Sequence, residues 1–511
     1  MPTISLGEKL IPADLYAIAA GDKVKLNFGR PAQARVRAAR SEVEAIVKEG
    51  KPVYGINTGF GALANESIEA KDVSTLQRNL LLSHAVGCGE DMPEDEKRLA
   101  LVLRLHSLCK GYSGVRPRLI RWFMRLFEIG WLPRVPQQGS VGASGDLAPL
   151  AHLALPIIGA GELVVDNGGL MQSKRALKKV GLEPIELAAK EGLALINGVQ
   201  ISNAIGLCAI ARMRNLSKVA DIVGALSVEA LMGSHAPFAA RVTRVRPHPG
   251  AKACGSNMRD LLRDSEVEKS HADCERVQDP YSFRCIPQVH GSAKDALAWA
   301  ESVLMIEADS ATDNPLVFPG RGTVSAGNFH GHPIAMAMDF AVNALCAWGN
   351  MSERRTSNLL HPAMNNKLPA FLSFKPGINS GLMMPQVTAA ALCAENKLLA
   401  TPASADTIPT SADQEDHVSM SNNAARKLRV AVENTERILA IELYCSCQAR
   451  EFHRSIKAGL GAQAAHEQVR KYLPRLKNDR YLAPELDKVH ELIRSGEIVR
   501  AAESAAGELR T

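Results

Sequence analysis

The sequence predicts a mainly α protein: a long central helical bundle with a smaller mixed N-terminal domain. Three observations predict it. Aromatic residues make up only 5% of a chain that is 46% hydrophobic. Ala and Leu therefore dominate its apolar segments, which favours helices over β-sandwiches. Long apolar-periodic runs recur at Ser292–Glu307, Pro333–Leu360, Gly381–Leu399 and Asn422–Glu451. Several are apolar round most of their circumference, as in Val387-Thr388-Ala389-Ala390-Ala391-Leu392-Cys393-Ala394. Such a helix must be buried on all sides, so the bundle is expected to continue across subunits.

Taken in order, residues 1–215 read as the mixed domain. Short extended pieces at Thr3–Leu6 and Val24–Asn27 surround Gly-rich turns such as Gly55-Ile56-Asn57-Thr58-Gly59-Phe60-Gly61. Pro93 and Gly111 bracket a helix carrying Leu99, Val102, Leu103 and Leu105; Pro117 and Gly130 bracket another with Leu119, Ile120, Phe123, Leu126 and Phe127 on one side. Residues 216–511 read as the long-helix bundle and C-terminal helices. Within them Arg241–Gly291, rich in Pro, Gly and charge, reads as functional loop more than core, and Pro385 is expected to kink its helix. There is no internal repeat.

Composition narrows the function. The net charge of +6, from 60 basic and 54 acidic residues, comes without a dense Lys/Arg block, so nucleic acid is a poor partner. The ten Cys residues are scattered, and Cys445/Cys447 lacks a second pair for a zinc site. Buried free thiols in a reducing compartment are expected. The first residues lack a signal-peptide layout, and the longest apolar run, about Leu147–Val165, is broken by Pro149, His152, Pro156 and Gly161. The expectation is a cytoplasmic protein with no membrane partner.

The most informative segment is the loop Gly139-Ser140-Val141-Gly142-Ala143-Ser144-Gly145-Asp146-Leu147. Its glycines miss the dinucleotide fingerprint, no Gly-Lys-Ser/Thr follows, and Asp146 breaks the Gly-x-Ser-x-Gly pattern of a hydrolase elbow. Ala143-Ser144-Gly145 nevertheless permits unusual chemistry. The Gly145 nitrogen has no Cβ beside it to block attack on the Ala143 carbonyl carbon. Loss of water and dehydration of Ser144 then give a five-membered ring with an exposed methylidene, an electrophile that no ordinary side chain supplies.

The surrounding motifs resemble those of the aromatic amino acid ammonia-lyases, most closely the histidine-specific branch. They are VYGINTGFG at Val53–Gly61, LLLSHAVGCGE at Leu80–Glu90, GSVGASGDLAPLAH at Gly139–His152 and EGLALINGVQ at Glu191–Gln200. Further along come QDPYSFRCIPQVHG at Gln278–Gly291, GNFHGHP at Gly327–Pro333, SERR at Ser352–Arg355 and PTSADQEDHVSM at Pro409–Met420. The resemblance spans nearly the whole chain. It implies a 4-methylidene-imidazol-5-one (MIO) formed from Ala143-Ser144-Gly145, with no external cofactor and no metal. It also implies a homotetramer with active sites shared between subunits and a small-molecule amino acid as substrate.

The resemblance also implies residue roles. Tyr54 takes the β-proton from a mobile Gly-rich lid; a tyrosinate base needs an electropositive site, which helix N-termini would supply. Asn197 and Phe329 support the electrophile. Tyr281 and Arg284, three apart, share one side of a helical turn; the Arg284 fork suits an α-carboxylate, with Gln278 beside it. His84 and Glu415 suit the two nitrogens of an imidazole. Tyrosine-specific relatives carry a His where Ser83 stands, phenylalanine-specific ones Phe-Leu at this pair, and relatives acting on uncharged rings Gln in place of Glu415. Met383 separates the chain from the ergothioneine-cleaving branch, where a lysine stands. Val199, His332, Pro385, Thr401 and Asp413 depart from the usual pattern.

The implied reaction is elimination of ammonia from L-histidine to trans-urocanate. Two alternatives stand beside it: an MIO-dependent 2,3-aminomutase or lyase acting on tyrosine or phenylalanine, and an inactive helical scaffold of the same fold.

Overall fold

A computed structural model of the chain describes residues 1–270 and 277–511. The architecture is mainly α, with twenty α-helices and only short strands among the described residues. Contacts divide the chain into two compact units that interleave along the sequence. The first holds Met1–Cys208, Glu301–Asp339 and Pro402–Arg426; the second holds Ala209–Ala300, Phe340–Thr401 and Lys427–Thr511. The sequence reading expected a single boundary near residue 215. Instead, four of the five unit limits fall inside the long helices Gln200–Ala230, Ile286–Ala308, His332–Leu360 and Ser421–Arg450, and the fifth lies between Thr401 and Pro402, just after the helix Met383–Leu399.

In the first unit, Thr3–Ser5 pairs in parallel with Lys25–Asn27, Ile4 opposite Leu26. The helix Arg30–Glu49 buries Ala32, Val36, Ala39 and Val43, a three-to-four spacing that lays one stripe on the core. Gly50, at φ 77°, ends it in the left-handed conformation that glycine adopts most freely. The helices Glu94–Cys109 and Pro117–Ile129 follow the Pro–Gly brackets read from sequence, with Pro117 in the first turn and Gly130 left-handed after the last. Leu132–Pro133, Glu162–Val165 and Gly169–Gln172 form a small antiparallel sheet, and Cys88–Asp91 pairs with Pro136–Gln138 on either side of the route into the Gly139–Leu147 loop.

In the second unit the long helices share a polar layer as well as an apolar one. Arg355 is wholly buried and pairs with Glu442, which also accepts from Ser227 Oγ. His290 lies 2.9 Å from Asp221, which pairs with Lys294 at 3.1 Å. Burial opposes ionisation of Asp221, but the Lys294 charge and the His290 and Asn257 bonds outweigh it and hold the carboxyl at about 2. Cys254 donates to the same carboxylate, and burial raises its thiol well above the usual range.

Two sequence expectations change here. Arg241–Gly291 is largely helical where described, with Ala240–Val245, Pro249–Leu261, Val267–Ser270 and Tyr281–Arg284. Its Pro and Gly residues punctuate short helices, Pro249 occupying a first position, rather than abolishing them. Pro385 does not kink its helix, because that helix starts at Met383 and not Gly381. A first-turn proline gives up only an N–H that has no helical partner. All nine described cysteines are free, and five of them, Cys109, Cys208, Cys254, Cys445 and Cys447, are buried. No described helix is long and apolar enough to cross a membrane.

Candidate active site

The loop Gly139–Leu147 is shaped by backbone pairing on one side and serine contacts on the other. Gly145 bridges Gly198 in parallel, and the Asp146 N–H donates to the Gly198 carbonyl at 2.7 Å. Gly145 has φ 81°, and a Cβ there would stand 2.2 Å from the Gly198 oxygen. Only glycine fits the turn, for both the torsion and the space. The Met420 N–H donates to the Val141 carbonyl at 2.9 Å, and Ser419 Oγ donates to the Gly142 carbonyl at 3.1 Å.

Asp146 is wholly buried and accepts from the Ser202 N–H at 2.7 Å and Ser202 Oγ at 2.6 Å. Burial nevertheless pushes its carboxyl up to about 6, against the lowering effect of those bonds. The helix Leu147–Ala154 starts directly after it, and the helix Gln200–Ala230 starts two residues after Gly198. Two helix N-termini thus flank the Gly145–Gly198 bridge.

In front of this loop lies a cavity of about 500 Å³. Five of the residues singled out from sequence line it: Tyr54, His84, Ser144, Asn197 and Glu415. Ser144 Oγ donates to Glu415 Oε1 at 2.9 Å, while Glu415 Oε2 accepts from Thr410 Oγ1 at 2.7 Å. His84, in the last turn of the helix Val73–His84, shares a hydrogen bond between Nδ1 and Ser83 Oγ at 3.0 Å. Burial lowers its pKa below 6.5, with a bond to Leu80 and the Glu415 charge acting the other way. Asn197 Oδ1 is buried with no hydrogen-bond partner. Leu147, Leu193, Ile196, Leu76 and Leu80 supply apolar wall.

Tyr54 is half-buried and packs edge-on against Phe60, their centroids 6.5 Å apart. Burial raises its phenol above the ordinary 10.0; the Glu415 charge raises it further, and a bond with the Gly61 backbone lowers it. The sequence reading required an electropositive surrounding for this phenol. Within the first unit, the Glu415 carboxylate is a charge that acts on it.

The remaining singled-out residues do not line this cavity. Phe329 is half-buried in the loop ahead of the helix His332–Leu360. Gln278 and Tyr281 are exposed and belong, with Arg284, to the second unit. Tyr281 and Arg284 do share a face of the turn Tyr281–Arg284, the guanidinium standing 4.5 Å from the ring centroid, and Arg284 Nε is buried without a partner. Met383 opens the helix Met383–Leu399 of that unit. Asp413, a departure from the usual pattern, is exposed and outside the cavity lining.

Sequence reasoning passed over Thr410, whose hydroxyl holds Glu415; it lay in view inside the PTSADQEDHVSM motif. It also passed over Arg104, whose signal is a lone guanidinium in the apolar run Leu101-Val102-Leu103-Arg104-Leu105.

Comparison with known proteins finds relatives along nearly the whole chain. The family model described as "Aromatic amino acid lyase" matches residues 10–471. A histidine ammonia-lyase of Sorangium cellulosum is 49% identical over 99% of both chains, and one of Deinococcus radiodurans 48% over 95% of this chain and 92% of its own. Among solved structures, a histidine ammonia-lyase from Trypanosoma cruzi superposes with a TM-score of 0.91 at 40% identity, covering 99% of this chain and 95% of its own. A tyrosine aminomutase from Streptomyces globisporus superposes with a TM-score of 0.94 at 35% identity over the whole of both chains.

Proposed function

This chain belongs to the aromatic amino acid lyase family, and from that premise we propose that it eliminates ammonia from L-histidine to give trans-urocanate. The observation that carries the substrate choice is that His84 and Glu415 line the same cavity as Ser144. An imidazole offers a donor and an acceptor when neutral and two donors when charged, and a histidine with a carboxylate satisfies either form. The curated relatives named as histidine ammonia-lyases support the same choice.

The residues present fit an MIO group built from Ala143-Ser144-Gly145. The turn at Gly145 excludes any side chain, and Asn197 Oδ1 is a buried polar atom without a partner in the cavity wall that Ser144 shares. Once formed, the group supplies an electrophile that draws electron density from the substrate and makes ammonia a feasible leaving group. Asn197 and Phe329 would hold it, one by hydrogen bonding and one by packing.

The rest is the work of ordinary side chains. Tyr54 removes the β-proton, and Glu415 keeps the imidazole against His84. Arg284 binds the α-carboxylate through its forked donors, with Tyr281 stacked on it and Gln278 adjacent. We assign these three to a neighbouring subunit's contribution in a homotetramer. That arrangement would also bring the cation that a tyrosinate needs, since the nearby Glu415 alone opposes it.

The test is direct. Purified protein given L-histidine should develop urocanate absorbance, and its intact mass should fall two waters below the sequence mass. Turnover of tyrosine or phenylalanine in place of histidine would overturn the substrate assignment. A β-amino acid product would favour the aminomutase reading, which the likeness to a tyrosine aminomutase keeps in play.

A further inference from the structure

Behind the Asn197–Gly198 peptide lies a buried charged cluster with no task in the reaction described so far. Arg104 projects from the helix Glu94–Cys109 and is 2% exposed. Its Nη1 donates to the Asn197 carbonyl at 2.7 Å and to Gln200 Oε1 at 2.8 Å; Gln200 Nε2 donates onward to Thr312 Oγ1 at 2.6 Å. Nearby, the fully buried Lys190 pairs with Asp313 at 2.9 Å. The Asp313 charge acts on Arg104, and the Arg104 charge acts on Lys190. Two cations and one carboxylate therefore share one buried space.

The guanidinium is poorly compensated there, with Nε and Nη2 buried and without partners. A buried cation in that condition is costly, and an apolar side chain would cost less there if stability were the only demand. What Arg104 touches explains its presence. Gly198 has φ 143°, and a Cβ on it would lie 2.8 Å from Arg104 Nη1 and 2.6 Å from Thr312 Oγ1. The fork thus packs directly against that peptide. The same Gly198 accepts the Asp146 N–H through its carbonyl and bridges Gly145. One peptide unit separates Arg104 from the tripeptide.

We propose that Arg104 is a positioning residue for electrophile formation, locking the Asn197–Gly198 peptide as the rigid wall against which Ala143-Ser144-Gly145 is bent for ring closure. This rests on the reading of the tripeptide given above. In closure the Gly145 nitrogen bonds to the Ala143 carbonyl carbon. The carbonyl oxygen leaves as water with the protons of the Gly145 and Ser144 N–H groups. The Ser144 hydroxyl leaves as a second water with the Ser144 Cα proton. No oxidant or reductant is consumed. An amide nitrogen is a weak nucleophile, so closure depends on holding it in a near-attack position, and a turn held on a mobile wall loses that geometry.

The experiment compares wild type with Arg104→Gln, Arg104→Lys, Gln200→Met and Ser144→Ala, all as full chains. Intact mass, circular dichroism and kcat are read on the same preparations. Gln200→Met keeps the buried cation but removes one of the two acceptors that hold its Nη1 against the Asn197–Gly198 peptide, so it decides the matter even if Arg104→Gln does not fold. Wild type should be wholly two waters lighter and Ser144→Ala should not be. Folded Arg104→Gln and Gln200→Met should contain a large unmodified fraction, with kcat lowered in proportion, by about tenfold or more, and KM unchanged. Arg104→Lys should fall between. A complete two-water deficit in folded Gln200→Met and in both Arg104 variants overturns the proposal, whatever their kcat. Absence of the deficit in wild type overturns the tripeptide reading itself, and is distinguishable because the variants then match it.

Discussion

Ser144 and Glu415 are separated by 271 residues in the chain and by one hydrogen bond of 2.9 Å in space. Glu415 is held from its other oxygen by Thr410 at 2.7 Å. The carboxylate proposed to meet a substrate imidazole is therefore tied to the serine of the tripeptide proposed to cyclise. On that proposal, chemistry and specificity meet in one contact.

Glu415→Gln should separate the two. It keeps the size of the side chain and removes its charge, and a hydrogen bond to a charged group contributes about 1.5–3 kcal/mol. kcat/KM for L-histidine should fall about 10- to 100-fold, while the two-water mass deficit persists. Steady-state kinetics with histidine, tyrosine and phenylalanine would check this; an unchanged preference for histidine would remove Glu415 from the specificity argument.

Tyr54 gives a pH prediction with a definite sign. Burial and the Glu415 charge both raise its phenol above 10.0. If the phenolate is the base, kcat/KM should rise with pH on the alkaline side of neutrality. Removing a nearby negative charge favours phenolate, so Glu415→Gln should move that limb to lower pH. Tyr54→Phe should abolish the limb and cost about 10²- to 10⁴-fold in rate. A limb that stays put in Tyr54→Phe belongs to another group.

Asp146 should leave a mark on stability. Its folded pKa, about 6, lies above the ordinary 3.8. A raised carboxyl pKa means that the folded state binds the proton more tightly. Its stabilising contribution is thus full below pH 3.8 and lost as pH rises through 6. The loss is about 3 kcal/mol for a shift of this size. Urea midpoints of wild type and Asp146→Asn, taken from pH 4 to pH 7, should shift steadily in favour of the variant. Parallel curves would show that Asp146 titrates normally.

The Arg355–Glu442 pair in the second unit tests the cost of buried charge. Both side chains are wholly buried. Arg355→Met alone should destabilise the protein by about 3–5 kcal/mol, because Glu442 is left unpaired; adding Glu442→Leu should recover most of that loss. Equal losses in the single and double variants, read by chemical denaturation, would contradict it.

The long helices were legible because hydrophobic period needs only near neighbours. Pro333–Leu360 is met by His332–Leu360, and Asn422–Glu451 by Ser421–Arg450. Arg241–Gly291 was read as loop because Pro and Gly punctuate it, and at its short helix lengths the punctuation and the helix carry the same residues. Pro385 misled for a related reason: a proline two residues inside a true start looks like a kink if the start is placed two residues early. In the candidate site, the motifs named Tyr54, His84, Ser144, Asn197 and Glu415 without showing that they share a cavity. Gln278, Tyr281, Arg284 and Phe329 came from motifs of the same kind, yet they do not line it.

By itself the sequence determined the helical class, the family resemblance and a tripeptide able to cyclise. Each depends on residue type and spacing over a few positions, where covalent geometry and helical period act directly. Tertiary structure decided what faces Ser144, which way the Tyr54 phenol shifts, and that Arg104 is buried against Gly198. These depend on distance and desolvation between segments far apart in the chain, and a linear spacing carries neither.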